Sequence, residues 1–416
     1  MSQAVARGNG IPRLRQAYVP MPVQGKTTEE LRAYVNGLDP ITKRPFMQEI
    51  IEGLTGSLTE EDLKGQSFDR STPRFVEPDT EDRLQLHFHE NHWTDGLPVI
   101  LPTEERVAEM LAHTSHKPDE VVGRMSPTGH REAWEFTVEK VAINAVMAGA
   151  PPEALPVILT LATMGTARGS SSGAMAKMVV VNGPIRNELK MNAGIGAMGP
   201  YNRANATIGR AYGLLSQNGQ GGSVPGLTYM GSQGNGYGFT NLCIPENEER
   251  SPWDPFHVEH GFKAEESVVS VFNGCLTTAF TFGLRRKHWR ETVKRMLLGM
   301  EPDFEPVLVL DPLTAHQFIE IAGLKTKANV IDWCWDAAQM PAGEYWDLQL
   351  SLNYRHPRAV LGEEPYASML AAKPEELIHI FQKKNIKVVV VGGESNAYWR
   401  IIGANYGRSK SIDAWR

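Results

Sequence analysis

Three short apolar runs constrain this chain most: MVVV at 178–181, VLVL at 307–310 and VVVV at 388–391. Each stops at a turn signal, respectively Asn182-Gly183-Pro184, Asp311-Pro312 and Gly392-Gly393. Runs that short, apolar at successive positions and rich in β-branched residues, read as strands buried on both faces. Helical patterns stand between them. TEERVAEMLAH starts at Thr103, a capping residue with acids in the turn that follows, and VEKVAINAVMAGA ends at Gly149. PEALPVILTLATM is strongly apolar, and ANATIGRAYGLL is a helix of small residues. Strands alternating with helices predict an α/β fold with a parallel or mixed sheet covered on both faces. PTEERVAEMLAH resembles KPEELIHIFQKK, and MVVVNGP resembles VVVVGGE, which suggests two related α/β halves.

With 416 residues the chain exceeds one ordinary core. Residues 1–82 read as an N-terminal arm: two helices, KTTEELRAYVNGL and RPFMQEIIEGL, then a polar, proline-punctuated stretch that could form little core of its own. Residues 83–300 read as a first α/β domain and 301–416 as a second. In the first, LQLHFH alternates in the manner of a strand. In the second, AKPEELIHIFQKK reads as helix, and Ser395 and Asn396 open another helix after the glycine turn.

Composition removes several function classes. A net charge of −6 leaves no electrostatic footprint for nucleic acid and no polybasic segment for an anionic membrane. No apolar run approaches the length of a membrane span, and MSQAVARGNGIPRLRQAY lacks the apolar stretch of a secretory signal. Cys243, Cys275 and Cys334 are too scattered for a disulfide framework or a cysteine-only zinc site, and a reducing cytoplasm suits them.

Four segments could carry chemistry. HFHENHWTDG supplies His87, His89 and His92, with Asp95 in the turn that follows. On a strand, His87 and His89 would share a face and could offer two imidazoles to a divalent metal. An ordinary polar strand end is the alternative. NAGIGAMGPYNRANATIGRA contains the spacing GxGxxG, but the segment before it reads as helix and no acid occurs between Lys190 and Glu246. A dinucleotide fingerprint is therefore rejected. Arg203 and Asn205, near a helix start, could hold a carboxylate or phosphate, unless Arg203 is simply a surface cation.

The glycine-rich stretch from Gly219 to Phe239 reads as a loop over a ligand or against a second subunit, or as plain surface. NLCIPENEERSPWDPFHVEHGF concentrates Cys243, Glu246, Glu248, His257 and further acids, a set suited to proton transfer or metal binding, or else a solvated acidic turn. Gly392, Gly393 and Ser395 follow a strand, where α/β sheets place ligands, although a tight turn explains them equally.

ENHWTDGLPVILPTEERV, VEKVAINAVMAGAPPEALPVIL, VVNGPIRNELKMNAGIGAMGPYNRANATIGRA and CIPENEERSPWDPFHVEHGF together resemble segments of a bacterial family, the UGSC-type (seleno)proteins and their non-selenium homologues. The resemblance spans roughly residues 84–412 and brings no assigned activity with it. The selenocysteine–Gly–Ser–Cys tetrad is absent. The nearest string is Arg168-Gly169-Ser170-Ser171, without either reactive chalcogen.

The resulting expectation is a small-molecule enzyme of hydrolase or lyase type acting on a small anionic substrate. Arg203, Asn205 and the 392–395 turn would bind the substrate, and Asp95, Glu246, Glu248 or His257 would move protons. His87, His89 and His92 would hold a divalent metal. Alternatives are a thiol-dependent reductase using Cys243 and a non-catalytic binding or scaffolding subunit. Homo-oligomerisation through the N-terminal arm is expected, and no nucleic-acid or membrane partner.

Overall fold

The computed structural model describes residues 6, 11, 13–21, 23, 26–64, 73–124, 135–165, 176–220, 224–226, 229, 231 and 233–416. The string Arg168–Ser171 and much of the glycine-rich loop, Met230 included, lie outside these. The chain forms two compact units, residues 1–77 with 127–133 and residues 78–126 with 134–416.

In the first unit, Thr28–Val35 (α1), Phe46–Thr55 (α2) and Glu60–Leu63 (α3) are helical. Thr27 and Thr59 cap α1 and α3 reciprocally with the acids three residues on, Glu30 and Asp62. Arg15 donates to the carbonyls of Gly53, Gly56 and Ser57 and to Asp62. Of the described residues in this unit only Ala6 and Asp39 are buried.

The second unit begins with Glu81–Glu90 (α4), Glu104–Leu111 (α5), the hairpin Val121–Arg124 (β1) and Glu135–Thr137 (β2), and then Val138–Ala148 (α6) and Leu155–Ala162 (α7). Next come Lys177–Asn182 (β3), Ile185–Glu188 (α8), Arg203–Gln220 (α9), Leu242–Pro245 (β4), Phe256–Glu259 (α10) and the long Val268–Phe282 (β5). Trp289–Leu298 (α11), Pro306–Leu310 (β6), Pro312–Glu320 (α12) and Lys327–Ala337 (α13) follow. The remainder is Gln339–Pro341 (β7), Ala342–Asp347 (α14), His356–Val360 (α15), Tyr366–Ala371 (α16), Leu377–His379 (β8), Lys387–Val390 (β9) and Tyr398–Ser411 (β10). Among the described residues no helix is long and apolar enough to cross a membrane.

Six strands form one mixed sheet in the order β4-β3-β5-β10-β6-β9. β3 and β4 are parallel, β6 and β9 are parallel, and the other neighbours are antiparallel. The fold is α/β, and the sheet runs across the domain boundary expected at 300. β3, β4 and β5 recur in order and direction as β6, β9 and β10, an internal pseudo-twofold between the long strands. Backbone bonds repeat with it: Glu246 N donates to Val181 O at 3.1 Å, and Val391 N donates to Leu310 O at 2.7 Å. The string match paired the wrong strands, because the partner of β9 is β4 rather than β3.

The four-residue apolar runs are explained by alternation. Val179 and Val181 face α6, α7 and α9, whereas Leu308, Leu310, Val388 and Val390 face α11, α12 and α13. Met178, Val180, Val307, Val309, Val389 and Val391 join residues of β4, β5 and β10 in a single inner cluster. The sheet thus curls and buries its own concave face. Its two edges touch where Asn247, just past β4, donates its backbone N–H to Val390 O at the end of β9, at 2.7 Å.

Three expectations from local pattern are corrected. LQLHFH lies within helix α4, whose first turn holds Glu81 and Asp82 and which buries Phe88. Residues 374–385 form no α-helix: β8 pairs antiparallel with β7 there, and only Lys383–Asn385 make a 3-10 turn. Ser395 and Asn396 open no helix either: β10 starts at Tyr398 and runs along β5. In the last case Tyr398, Trp399, Ile401 and Ile402 satisfy a helical period, and pairing with β5 overrides it.

Candidate functional site

At the carboxyl ends of β3 and β4 lies a dense charge network. Glu246, wholly buried, accepts from Asn182 Nδ2 at 2.7 Å and from Phe256 N at 2.6 Å, and it faces Lys327 Nζ at 3.4 Å. Glu248 accepts from Asn182 Nδ2, Gly183 N and Arg186 Nη2 at 2.8–2.9 Å. Arg186 also holds both oxygens of Glu249, which draws that carboxyl below its ordinary range. Lys327, from α13, donates to Asp254 O and to Glu259. Burial raises the Glu259 carboxyl, against the lowering pull of Lys327.

His257 is fully buried beside this network, its Nδ1 4.0 Å from Glu248, and among the described residues neither ring nitrogen has a hydrogen-bond partner. The sequence-predicted proton carriers Glu246, Glu248 and His257 thus do come together. Glu246 and His257 do so out of solvent and Glu248 nearly so, with every oxygen of the two carboxylates facing a donor. Such an arrangement locks the seam between the two halves rather than exchanging protons with a substrate.

The histidine stretch lies elsewhere. His87 and His89, two apart on a helix, point about 200° apart and cannot share a metal as a strand pair would. His87 stands edge-on to Trp93 at 5.3 Å. His89 and His92 line a cavity of about 310 Å³ together with Thr94, Gln217, Tyr229 and Asn235, so part of the glycine-rich loop does wall a pocket. Asp95 is held in a two-pronged pair by Arg210, at 2.9 Å for each bond, and is no free acid. Among the described residues, no group of three or more His, Cys, Asp or Glu side chains could hold a metal ion. Gly238 and Phe239 precede β4 and Glu246 follows it, so the histidine pocket and the carboxylate network flank opposite ends of that strand and do not converge.

The other expected residues are structural. Arg203 donates to Gly149 O. Asn205 is buried, accepts from Asn192 N and donates to Asn192 O and Ala197 O, tying the GIGAMG turn onto α9. Cys243 faces the helices, and burial pushes its thiol up to about 12, which removes the nucleophilic thiolate. Gly392 donates to Ala193 O, and a Cβ on Gly393 would lie 2.2 Å from Ile195, so this turn is packed shut. Ser395 is exposed, and among the described residues its hydroxyl bonds only Asn396.

A pocket absent from the sequence reading lies in the second half, a cavity of about 450 Å³ beside the starts of β6 and β9. Met369, Ile378, Ile380 and Phe381 supply apolar wall. A π-helical stretch, Ser351–Arg355, delivers Arg355, a departure from α-helix often found at functional positions. Its guanidinium donates to Tyr366 Oη at 2.5 Å and pairs with Asp303 at 2.8 Å, and Gln382 also donates to Tyr366 Oη.

His379 stacks on the Trp335 indole, centroids 3.5 Å apart and planes 7° apart. Its Nδ1 lies 3.0 Å from Trp335 O. A carbonyl only accepts, so Nδ1 carries the proton and Nε2 is the acceptor of the neutral ring. Burial raises the carboxyl of Glu305 on the same cavity. No local spacing announces this site: Glu305, Trp335, Arg355, Tyr366 and His379 are dispersed over 75 residues. No family model, curated protein or solved structure matches the chain.

Proposed function

We propose that the chain is a small-molecule enzyme of hydrolase or lyase type whose anionic substrate occupies the second-half pocket. The observation that carries this reading is the oriented imidazole of His379, its Nδ1 tied to a carbonyl and its Nε2 left as a base on a largely apolar cavity. Arg355, already positioned by Tyr366 and Asp303, keeps further N–H groups for a carboxylate. The apolar walls suit an acid with an aryl or short alkyl body. Nε2 takes a proton from water in a hydrolysis, or from the carbon next to the carboxylate in an elimination. Glu305, whose raised carboxyl favours the protonated form, is the matching donor.

The test is calorimetric titration of the full chain with benzoate, phenylacetate, 4-methylvalerate and succinate. A monocarboxylate should bind, and Arg355→Met should weaken it by roughly tenfold to a hundredfold, the worth of a charged hydrogen bond. His379→Gln should leave that binding in place and remove turnover of a related acid that keeps its carboxylate and carries either a β-hydroxyl or a hydrolysable ester on its side chain. Absence of binding by all four acids, or affinity indifferent to Arg355→Met, would sink the proposal.

A further inference from the structure

We infer that the chain pairs with a second copy of itself through the free edge of β5, residues 276–282, to form an antiparallel sheet continuous across a twofold axis. β5 has two different parts. Residues 268–274 are flanked by β3 on one side and β10 on the other. From Leu276 to Phe282 only β10 remains, and among the described residues no backbone hydrogen bond reaches the opposite edge of this part. Described residues of the glycine-rich loop meet the start of this part, where Asn235 Nδ2 donates to Cys275 O and Tyr237 Oη meets Thr277 Oγ1.

An open edge is normally guarded by charge, proline or cover. Its pseudo-twofold counterpart, the part of β10 beyond β6, is guarded in this way: Arg408 and Lys410 lie on it and both reach Thr163. Among the described residues the edge of β5 has only a bulge at Thr278 and the Tyr237 contact at Thr277 to guard it. LTTAFTF holds no charge and no proline, and Phe280 and Phe282 are 59% and 55% exposed, packed with Tyr398 into an aromatic patch.

An unpaired row of N–H and C=O groups takes a strand as its partner, and this strand complements itself. Antiparallel pairing about Ala279 sets Thr281 opposite Thr277 and Phe282 opposite Leu276, with Phe280 beside Thr278, which bulges out of register with β10. These are favourable cross-strand pairs with no like charges facing. A twofold, self-complementary contact is also the commonest way for identical chains to associate.

Sedimentation of the full chain over a dilution series should show a dimer. Thr278→Lys with Phe280→Lys places lysine beside lysine across the axis, and it should raise the dimer dissociation constant by at least about tenfold. Leu54→Glu, on the exposed face of the N-terminal arm, should leave it unchanged.

Ala279→Cys gives a readout independent of the lysine variant's folding. Facing α-carbons in an antiparallel pair lie about 4.5–5.5 Å apart, within disulfide reach, so diamide should link the two copies. The native cysteines are buried and do not compete. A monomer at every concentration, a dimer indifferent to the lysine pair, loss of the dimer in Leu54→Glu instead, or no cross-link in Ala279→Cys would each overturn the inference.

Discussion

Replacing Lys327 with methionine is the sharpest probe of how the two halves are held together. Lys327 is 3% exposed, and its ammonium serves two carboxylates and one carbonyl. Glu246 is wholly buried and would keep the Asn182 and Phe256 donors but lose its cation. Glu259 is 34% exposed, so water compensates most of its loss. The cost therefore concentrates on Glu246. Breaking a buried pair from one side removes roughly 3–5 kcal/mol, against about 0–1 kcal/mol for a surface pair. That is a large part of a total stability of about 5–15 kcal/mol.

Guanidinium denaturation followed by tryptophan fluorescence is well suited, because all nine tryptophans belong to the second unit. Adding Glu246→Gln to Lys327→Met should restore part of the loss, since the orphaned charge is then gone. A loss below about 1 kcal/mol, or a double variant no more stable than the single one, would refute the view of this network as a buried lock.

Other consequences are quickly checked. Gly209→Ala, normally favourable in a helix, should destabilise by about 1–3 kcal/mol in the same denaturation assay, because the new Cβ would lie 1.8 Å from Thr240 O. Burial holds the His260 imidazole below its ordinary value of 6.5. Stability tied to that ring is complete above pH 6.5 and is lost as the pH falls through the depressed folded value, so His260→Phe should flatten the acid side of a plot of denaturation midpoint against pH. Cys243, with its thiol near 12, should resist iodoacetamide in the folded chain and react once the chain is denatured, as mass spectrometry would show.

Legibility followed the range of the interactions involved. The cap at Thr103 could be read from sequence because a cap is settled within four residues. Helix α4 was also announced, by the acids Glu81 and Asp82 after Thr80, but a six-residue alternation outweighed them in the reading. His87 and His89 changed from a shared face to opposed ones through that single reassignment. β10 had no such local signal, since its apolar spacing fits both periods and only the presence of β5 decides between them.

What the sequence by itself determined is three of the doubly buried strands, β3, β6 and β9, and the turns that end them, because burial on both faces leaves its mark residue by residue along the chain. Sheet order, the curl that brings Asn247 to Val390, and the company each polar side chain keeps were decided by tertiary structure alone. Lys327 meets Glu246 across 81 residues, and His379 meets Trp335 across 44. The physical reason is that a charge or an imidazole takes its role from neighbours, and those neighbours are selected by packing of distant segments rather than by spacing.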